Sequence, residues 1–182
     1  MTEVIDYEVV RTFDQVEIRR YPSILLATVR GQSDDSAFSI LFDYISGNNR
    51  SGENMSMTAP VVSTRSGTRM GMTAPVISDE STFSFVLPLR FDLRTAPRPA
   101  DARIELVSVP PRHVAVLRFS GRAHLREIME KERELLDWLN RRAIRVKGPP
   151  FLMRYNSPFA PGFMRRNEIG AEIFDEDISG VV

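Results

Sequence analysis

The sequence predicts an α+β fold made of two strand-strand-helix-strand units, packed as an antiparallel or mixed sheet that curls toward a barrel. Three observations carry this. Short runs with strand alternation recur between proline, glycine and Asx breaks along the whole 182-residue chain. Two stretches of helical spacing follow, one after each pair of strands. Finally, Glu17, Pro22, Ala27 and Arg30 recur as Glu105, Pro110, Ala115 and Arg118, each 88 positions further on. Both halves therefore run strand, proline break, strand, helix. The reading is a single domain, residues 1–182, with pseudo-repeat halves of about 1–80 and 81–182 and a cleft along the pseudo-symmetry axis.

Taken in order, Tyr7 to Arg11 is a short strand, Thr12 to Gln15 a turn, and Val16 to Tyr21 an alternating strand stopped by Pro22. Ile24 to Gly31 is a nearly continuous apolar strand. Ser33, Asp34, Asp35 and Ser36 supply a helix N-cap and acidic first-turn residues, and the helix runs to about Ser46, closed by Gly47 and Asn48. Beyond Asp79 come strands Thr82 to Leu87, Arg103 to Val109 and His113 to Ser120, linked through the proline-spaced TAPRPADA and through Pro110-Pro111. Gly121 opens a long helix to about Arg142. Strands Phe151 to Asn156 and Asn167 to Phe174 finish the chain.

Between the halves, Met55 to Val76 holds one phrase twice, Met57 to Val61 and again Met72 to Val76, with Ser66-Gly67 as a turn signal between them. Each copy alternates as a strand with one buried face. Pro60 and Pro75 lack a ladder donor and place a strand end or edge there. The methionines fill core in a proline-ended hairpin, or line a ligand pocket, where thioethers adapt to irregular apolar surfaces.

The two helices differ. In the second, Leu125, Ile128, Met129, Leu135, Leu136 and Leu139 form one stripe, enough to cover a sheet. In the first, Phe38, Leu41, Phe42 and Ile45 form a face that Ile40 and Tyr44 widen to an arc of roughly 200°. So wide an arc is covered on two sides, the second by a loop or by a flat apolar ligand.

Composition excludes several functions. With 24 basic and 24 acidic side chains the net charge is zero, so no nucleic-acid surface is expected. Absence of cysteine rules out disulfides, thiolate catalysis and cysteine metal sites. No apolar run approaches the ~20 residues of a membrane span, and MTEVIDYEVV has no basic region followed by an apolar run, so a cytoplasmic setting is expected. His113 points with Ala115, Leu117 and Phe119 and is a half-buried structural histidine; His124 is exposed in the first turn of the long helix. No nucleophile elbow, phosphate-binding loop or dinucleotide fingerprint occurs. Arg165, Arg166 and Glu168 are an ion-pair cluster at a sheet edge, or an anion site. No catalytic residue and no metal site is expected, hence no enzyme.

The Met-Thr-Ala-Pro-Val phrase, V-E-I-R-R-Y at Val16 to Tyr21, S-F-V-L-P at Ser84 to Pro88, Y-N-S-P at Tyr155 to Pro158 and R-R-N-E at Arg165 to Glu168 resemble the SOUL haem-binding protein family. The matches run in order over nearly the whole chain. The resemblance implies a distorted, mostly antiparallel β-barrel flanked by two helices. It also implies non-enzymatic haem or tetrapyrrole binding in an apolar cleft beside the first helix. Some relatives ligate haem through a histidine directly before the Tyr of the Y-E-I-R-x-Y motif; that position is Arg20 here. Others use basic side chains on the first helix for the propionates, whereas this helix has Asp34, Asp35 and Asp43 and no Lys or Arg. Arg20, Arg50 and Arg69 are the candidate substitutes from neighbouring segments. The expected ligand-binding set is Phe38, Leu41, Phe42, Ile45, Met55, Met57, Met72 and Arg20, with haem as the cofactor. A sensor or partner-binding module for another apolar small molecule is the alternative.

Overall fold

The computed structural model describes residues 3–65, 81–156 and 160–179. The second copy of the Met-Thr-Ala-Pro-Val phrase, with Met72, and the turn at Ser66-Gly67 lie outside them. Ten strands and three helices follow in chain order: β1 (Glu3–Val4), β2 (Glu8–Phe13), β3 (Val16–Tyr21), β4 (Ile24–Arg30), α1 (Asp34–Ile45), β5 (Thr58–Thr64), β6 (Thr82–Val86), β7 (Glu105–Val109), β8 (Arg112–Ser120), α2 (Leu125–Arg141), β9 (Phe151–Arg154), β10 (Arg166–Glu172) and α3 (Asp175–Ile178). A short 3-10 turn, Gly162–Met164, precedes β10. The class is the predicted one, α+β with mostly antiparallel pairing. The two-residue β1, which pairs parallel to β5, and the one-turn α3 are too short to leave a periodic signal.

The chain forms two compact units, and they are not the sequence halves. One contains β1 and the described residues of 23–110; the other contains Asp6–Pro22 and the described residues from Pro111 onward. The divisions fall at Pro22 and Pro110, the prolines that break each strand pair. With halves of 1–80 and 81–182, the first unit thus takes β6 and β7 from the second half, and the second unit takes β2 and β3 from the first. In the first unit the strand order is β7-β4-β6-β5; in the second it is β2-β3-β8-β10-β9. One pairing recurs at the offset of 88. Ile18 lies opposite Ala115 in one unit, and Leu106, 88 positions after Ile18, lies opposite Ala27, 88 before Ala115, in the other.

In the first unit, α1 begins where the Ser33 hydroxyl accepts a hydrogen bond from the Ser36 N–H and where Asp34 and Asp35 meet the helix dipole. Gly47, at φ +107°, ends it. Leu41 and Ile45 join Leu25, Val29, Phe83 and Phe85 in the core beneath the helix. The wide arc is covered by a loop on its second side. Tyr44 is fully buried, and its hydroxyl donates to the Pro97 carbonyl of the proline-spaced link at 2.7 Å. Burial, and then the charge of Glu53, push this phenol up to about 12. Pro60 does not end a strand as expected: β5 continues through it to Thr64, because the register slips between Thr58 and Val61 and a bulge removes the need for the missing donor.

In the second unit, α2 packs Ile128, Leu135 and Leu139 on Val16, Ile18, Ala115, Leu117, Ile169 and Ala171. It starts four residues later than expected, since Gly121 and Ala123 both have positive φ and are outside helical space. The predicted stripe is also rotated: Glu132 is buried, while Leu125 and Met129 stand in solvent. His113 is half-buried and shares its Nδ1 with Asp175 at 2.9 Å, and that hydrogen bond holds the Asp175 carboxyl below its usual range.

On the face of the second sheet away from α2, a Cβ at Gly170 would come within 2.6 Å of the Phe151 ring and 3.0 Å of the Met153 methyl. Alanine ordinarily favours a strand over glycine, so the sign here isolates the packing. Gly170→Ala is expected to lower unfolding free energy by about 1–3 kcal/mol in urea titration. Gly148→Ala, with nothing within 4 Å of the new methyl, is expected to change it by less than ~0.5 kcal/mol.

Candidate functional site

Two clusters stand out, one in each unit. The first is on α1. Phe38 and Phe42, one helical turn apart, lie with ring planes 12° from parallel and centroids 5.9 Å apart; Phe85 meets Phe38 edge-on at 5.3 Å. Phe38 is part-buried against the core, but Phe42 is 47% exposed. An aromatic ring of this size, braced from behind and open in front, is an unspent apolar face. Met57 is also part-buried at the same core. Leu41, Ile45 and Met55 are buried, Met55 being pinned by its N–H donating to the Ile45 carbonyl at 2.7 Å. The structure therefore gathers Phe38, Leu41, Phe42, Ile45, Met55 and Met57 about one helix, but only Phe38, Phe42 and Met57 retain accessible surface.

Arg20 belongs to β3 in the other unit, exposed and directly across from His113. The two histidines are in that unit as well, so the unit of α1 offers no imidazole to a metal. No group of three or more His, Asp or Glu suited to an ion occurs among the described residues. Asp34, Asp35 and Asp43 are exposed along α1. The residues present fit the plane of a tetrapyrrole through aromatic contact; they supply neither an axial nitrogen nor a cation on the helix for propionates.

The second cluster gathers three of the sequence motifs. Glu168, fully buried on the central strand β10, accepts from Arg19 Nη1 and Nη2 at 2.7 and 3.0 Å, from the Tyr155 hydroxyl at 2.7 Å, and from Arg166 Nε and Nη2 at 2.9 and 2.7 Å. Arg19, 2% exposed, also donates to Glu17 and Tyr21 and stacks on the Tyr7 ring at 4.2 Å. Arg166 donates to the Tyr7 hydroxyl and stacks on Tyr155. The sheet-edge placement expected for Arg166 and Glu168 is thus corrected: β8 and β9 flank their strand on both sides. Sequence separation of 149 residues hid the partner Arg19. The signal that marked it was Glu17, Arg19 and Tyr21 alternating with apolar Val16 and Ile18 on the same strand.

Burial alone raises the Glu168 pKa, but Arg19, Tyr155 and Arg166 outweigh it and hold the carboxyl below its ordinary range. Burial raises the Tyr21 and Tyr155 phenols. The cluster is therefore a charged acid, two cations and neutral phenols at neutral pH, with its acceptor saturated. A cleft of about 420 Å³ beside it is lined by Asp14, Glu17, Arg19 and Arg118 with Val116 and Phe119. Both signs of charge make it a poor seat for a flat apolar ring.

Glu168→Gln leaves two cations without their counter-charge and is expected to cost about 3–5 kcal/mol. Because the folded pKa lies below the unfolded one, this stabilisation is complete above the ordinary Glu range near 4.5 and is lost as pH falls through the depressed folded value. The variant is expected to show a flatter loss of stability on acidification, read by chemical unfolding at a series of pH values.

The fold is shared with solved structures of low sequence identity. The EcmrR C-terminal domain superposes with a TM-score of 0.64 at 11% identity, covering 88% of this chain and 97% of that one. EcmrR in its DNA complex gives 0.63 at 10%, covering 87% of this chain and 57% of that one. A hydrolase from Listeria innocua gives 0.57 at 12%, covering 91% and 94%. No curated protein sequence matches significantly. The family profile described as SOUL heme-binding protein matches residues 2–172, spanning both units and all three motifs of the buried cluster, and the chain belongs to the SOUL heme-binding protein family.

Proposed function

We propose that this protein binds haem or a related tetrapyrrole without catalysing a reaction, on the apolar surface beside α1. The observation that carries this is the Phe38–Phe42 stack, half open to solvent and braced by Phe85, in a chain of a haem-binding family. The porphyrin plane lies against Phe42 and Phe38, with Met57 alongside; Leu41, Ile45 and Met55 hold the helix in place from the core. Haem supplies its own redox chemistry when bound, while this surface supplies contact area and no axial nitrogen. The buried acid-arginine-tyrosine cluster holds strands together and has no proton to exchange near neutral pH. A hydrolase shares the fold, and a fold does not carry an activity with it.

A sensor or partner-binding role for another apolar small molecule is the competing reading, and the acidity of α1 favours it. Asp34, Asp35 and Asp43 repel an anionic ligand and tolerate a neutral or cationic one.

Titration with hemin is expected to give a saturable Soret change. Phe42→Asp is expected to abolish it while costing only about 1 kcal/mol of stability, since the ring is half exposed. A wild-type protein with no saturable change, or a Phe42→Asp variant that binds as well, removes the tetrapyrrole reading and leaves the sensor. His113→Ala and His124→Ala are expected to leave the band position unchanged. Asp43→Lys removes an exposed anion next to Phe42 in the last turn and is expected to tighten hemin binding several-fold at low salt, with the gain shrinking as ionic strength rises.

A further inference from the structure

The cleft beside the Glu168 cluster is lined wholly by the second unit, from the β2-β3 hairpin on one side and β8 on the other. At about 420 Å³ it has room for a small molecule. Buried Arg19 and Val116 line its deep part, Glu17 is half-buried at its side, and Asp14 and Arg118 stand exposed at its mouth.

The charges around this cleft are of both signs, and not all of them are matched. Arg19 gives its guanidinium to Glu168, Tyr21 and Glu17. Glu17 has Arg19 as its partner and no other among the described residues, and its side chain is 36% exposed. Asp14 and Arg118 have no hydrogen bond or ion pair among the described residues. Other strand arginines do find acids: Arg30 has Glu105, Arg112 has Glu172 and Arg166 has Glu168. Arg118 lacks one for a visible reason. Its cross-strand neighbour on β10 is Glu168, whose two oxygens are already filled by Arg19, Tyr155 and Arg166. On the β3 side, Glu17 lies opposite Val116, two positions before Arg118 on the same face. Glu17 and Arg118 are therefore diagonal neighbours, roughly 7 Å apart by strand geometry. They face one cleft and do not close on each other.

An open guanidinium and open carboxylates at one small cleft select ligands by charge. A simple anion meets Asp14 and Glu17, and a simple cation meets Arg118. A neutral apolar molecule desolvates all three groups and gives them nothing in return. A small molecule with both an ammonium and a carboxylate satisfies them together, through charge-assisted hydrogen bonds at each end. We propose that this cleft binds a small zwitterion, a free α-amino acid or a dipeptide, with Arg118 taking the carboxylate and Glu17 and Asp14 taking the ammonium. The inference goes beyond the tetrapyrrole reading and is independent of it, since that surface belongs to the other unit.

Isothermal titration calorimetry of the full chain with leucine and with glycyl-leucine, each up to about 10 mM, tests this. Saturable binding of at least one is expected, and the tighter of the two identifies the source, amino acid or dipeptide. The N-acetylated form of the binding compound lacks the ammonium and its amide lacks the carboxylate; each is expected to bind about tenfold or more weakly. Arg118→Gln is expected to weaken the zwitterion by about tenfold while leaving the amide unchanged, and Asp14→Asn to weaken it by about threefold, Glu17 remaining in place. Both positions are exposed and without partners, so an unchanged urea unfolding midpoint is expected of both variants. The analogue series on the unmodified protein decides the question even if a variant is destabilised. Absence of saturable binding by both compounds overturns the proposal. So does binding that survives Arg118→Gln, or an N-acetylated or amidated analogue that binds as tightly as its parent.

Discussion

Two oxygens of one buried carboxylate accept five hydrogen bonds from three side chains, and around that group the second unit is assembled. Glu168 lies on β10, Arg19 on β3, and Tyr155 just past β9, so a single acid fixes how strands far apart in sequence face one another. Buried ion pairs add little net stability compared with an apolar core, because desolvation costs about as much as attraction returns. Their strength is in discrimination: any register that separates Arg19 from Glu168 leaves both charges in a dry interior. A shift of one residue on β3 would also carry Val16 and Ile18 out of the α2-covered core. Hydrophobic pattern and charge thus enforce the same pairing from opposite faces of one sheet.

That cluster also gives the family motifs a physical content. V-E-I-R-R-Y supplies Arg19 and Tyr21, Y-N-S-P supplies Tyr155, and R-R-N-E supplies Arg166 and Glu168. The motifs that identify the family here build architecture. The α1 surface has no such fixed polar framework: it has aromatic rings, a methionine and three aspartates. Ligand choice on such a surface is set by shape and by exposed charge, both of which change with single substitutions.

Much of the fold was legible in the residues. Proline and glycine punctuation placed β3, β4, β6 and β8 to within a residue or two, and the Ser33 cap with Asp34 and Asp35 placed α1. The offset of 88 positions recurs in one pairing, Ile18 with Ala115 and Leu106 with Ala27. What stayed hidden was decided by distant partners. Nothing local says that Glu132 turns inward while Leu125 and Met129 turn outward, because that rotation depends on the sheet α2 covers and on the positive φ of Gly121 and Ala123. Nor does the proline at position 60 tell whether it ends a strand or occupies a bulge, since either relieves the missing N–H. For the site, the wide arc of α1 was visible, but whether a loop or a ligand covers its second side hung on one contact, Tyr44 to Pro97.

The exchange of strands at Pro22 and Pro110 has a consequence for synthesis. Every described strand of the first unit has been made once the ribosome passes Pro110, so that unit has its sheet in hand while the rest is still to come. The β2-β3 hairpin is made well before its sheet partner β8, which begins at Arg112, and before its charge partner Glu168. At about 5–20 residues per second, the gap between Tyr21 and Ser120 leaves β3 without β8 for on the order of ten seconds, and Arg19 stays unmatched until Glu168 follows. Misassembly, and chaperone capture, therefore threaten the β2-β3 hairpin, made before its partners, more than the strands that complete its sheet.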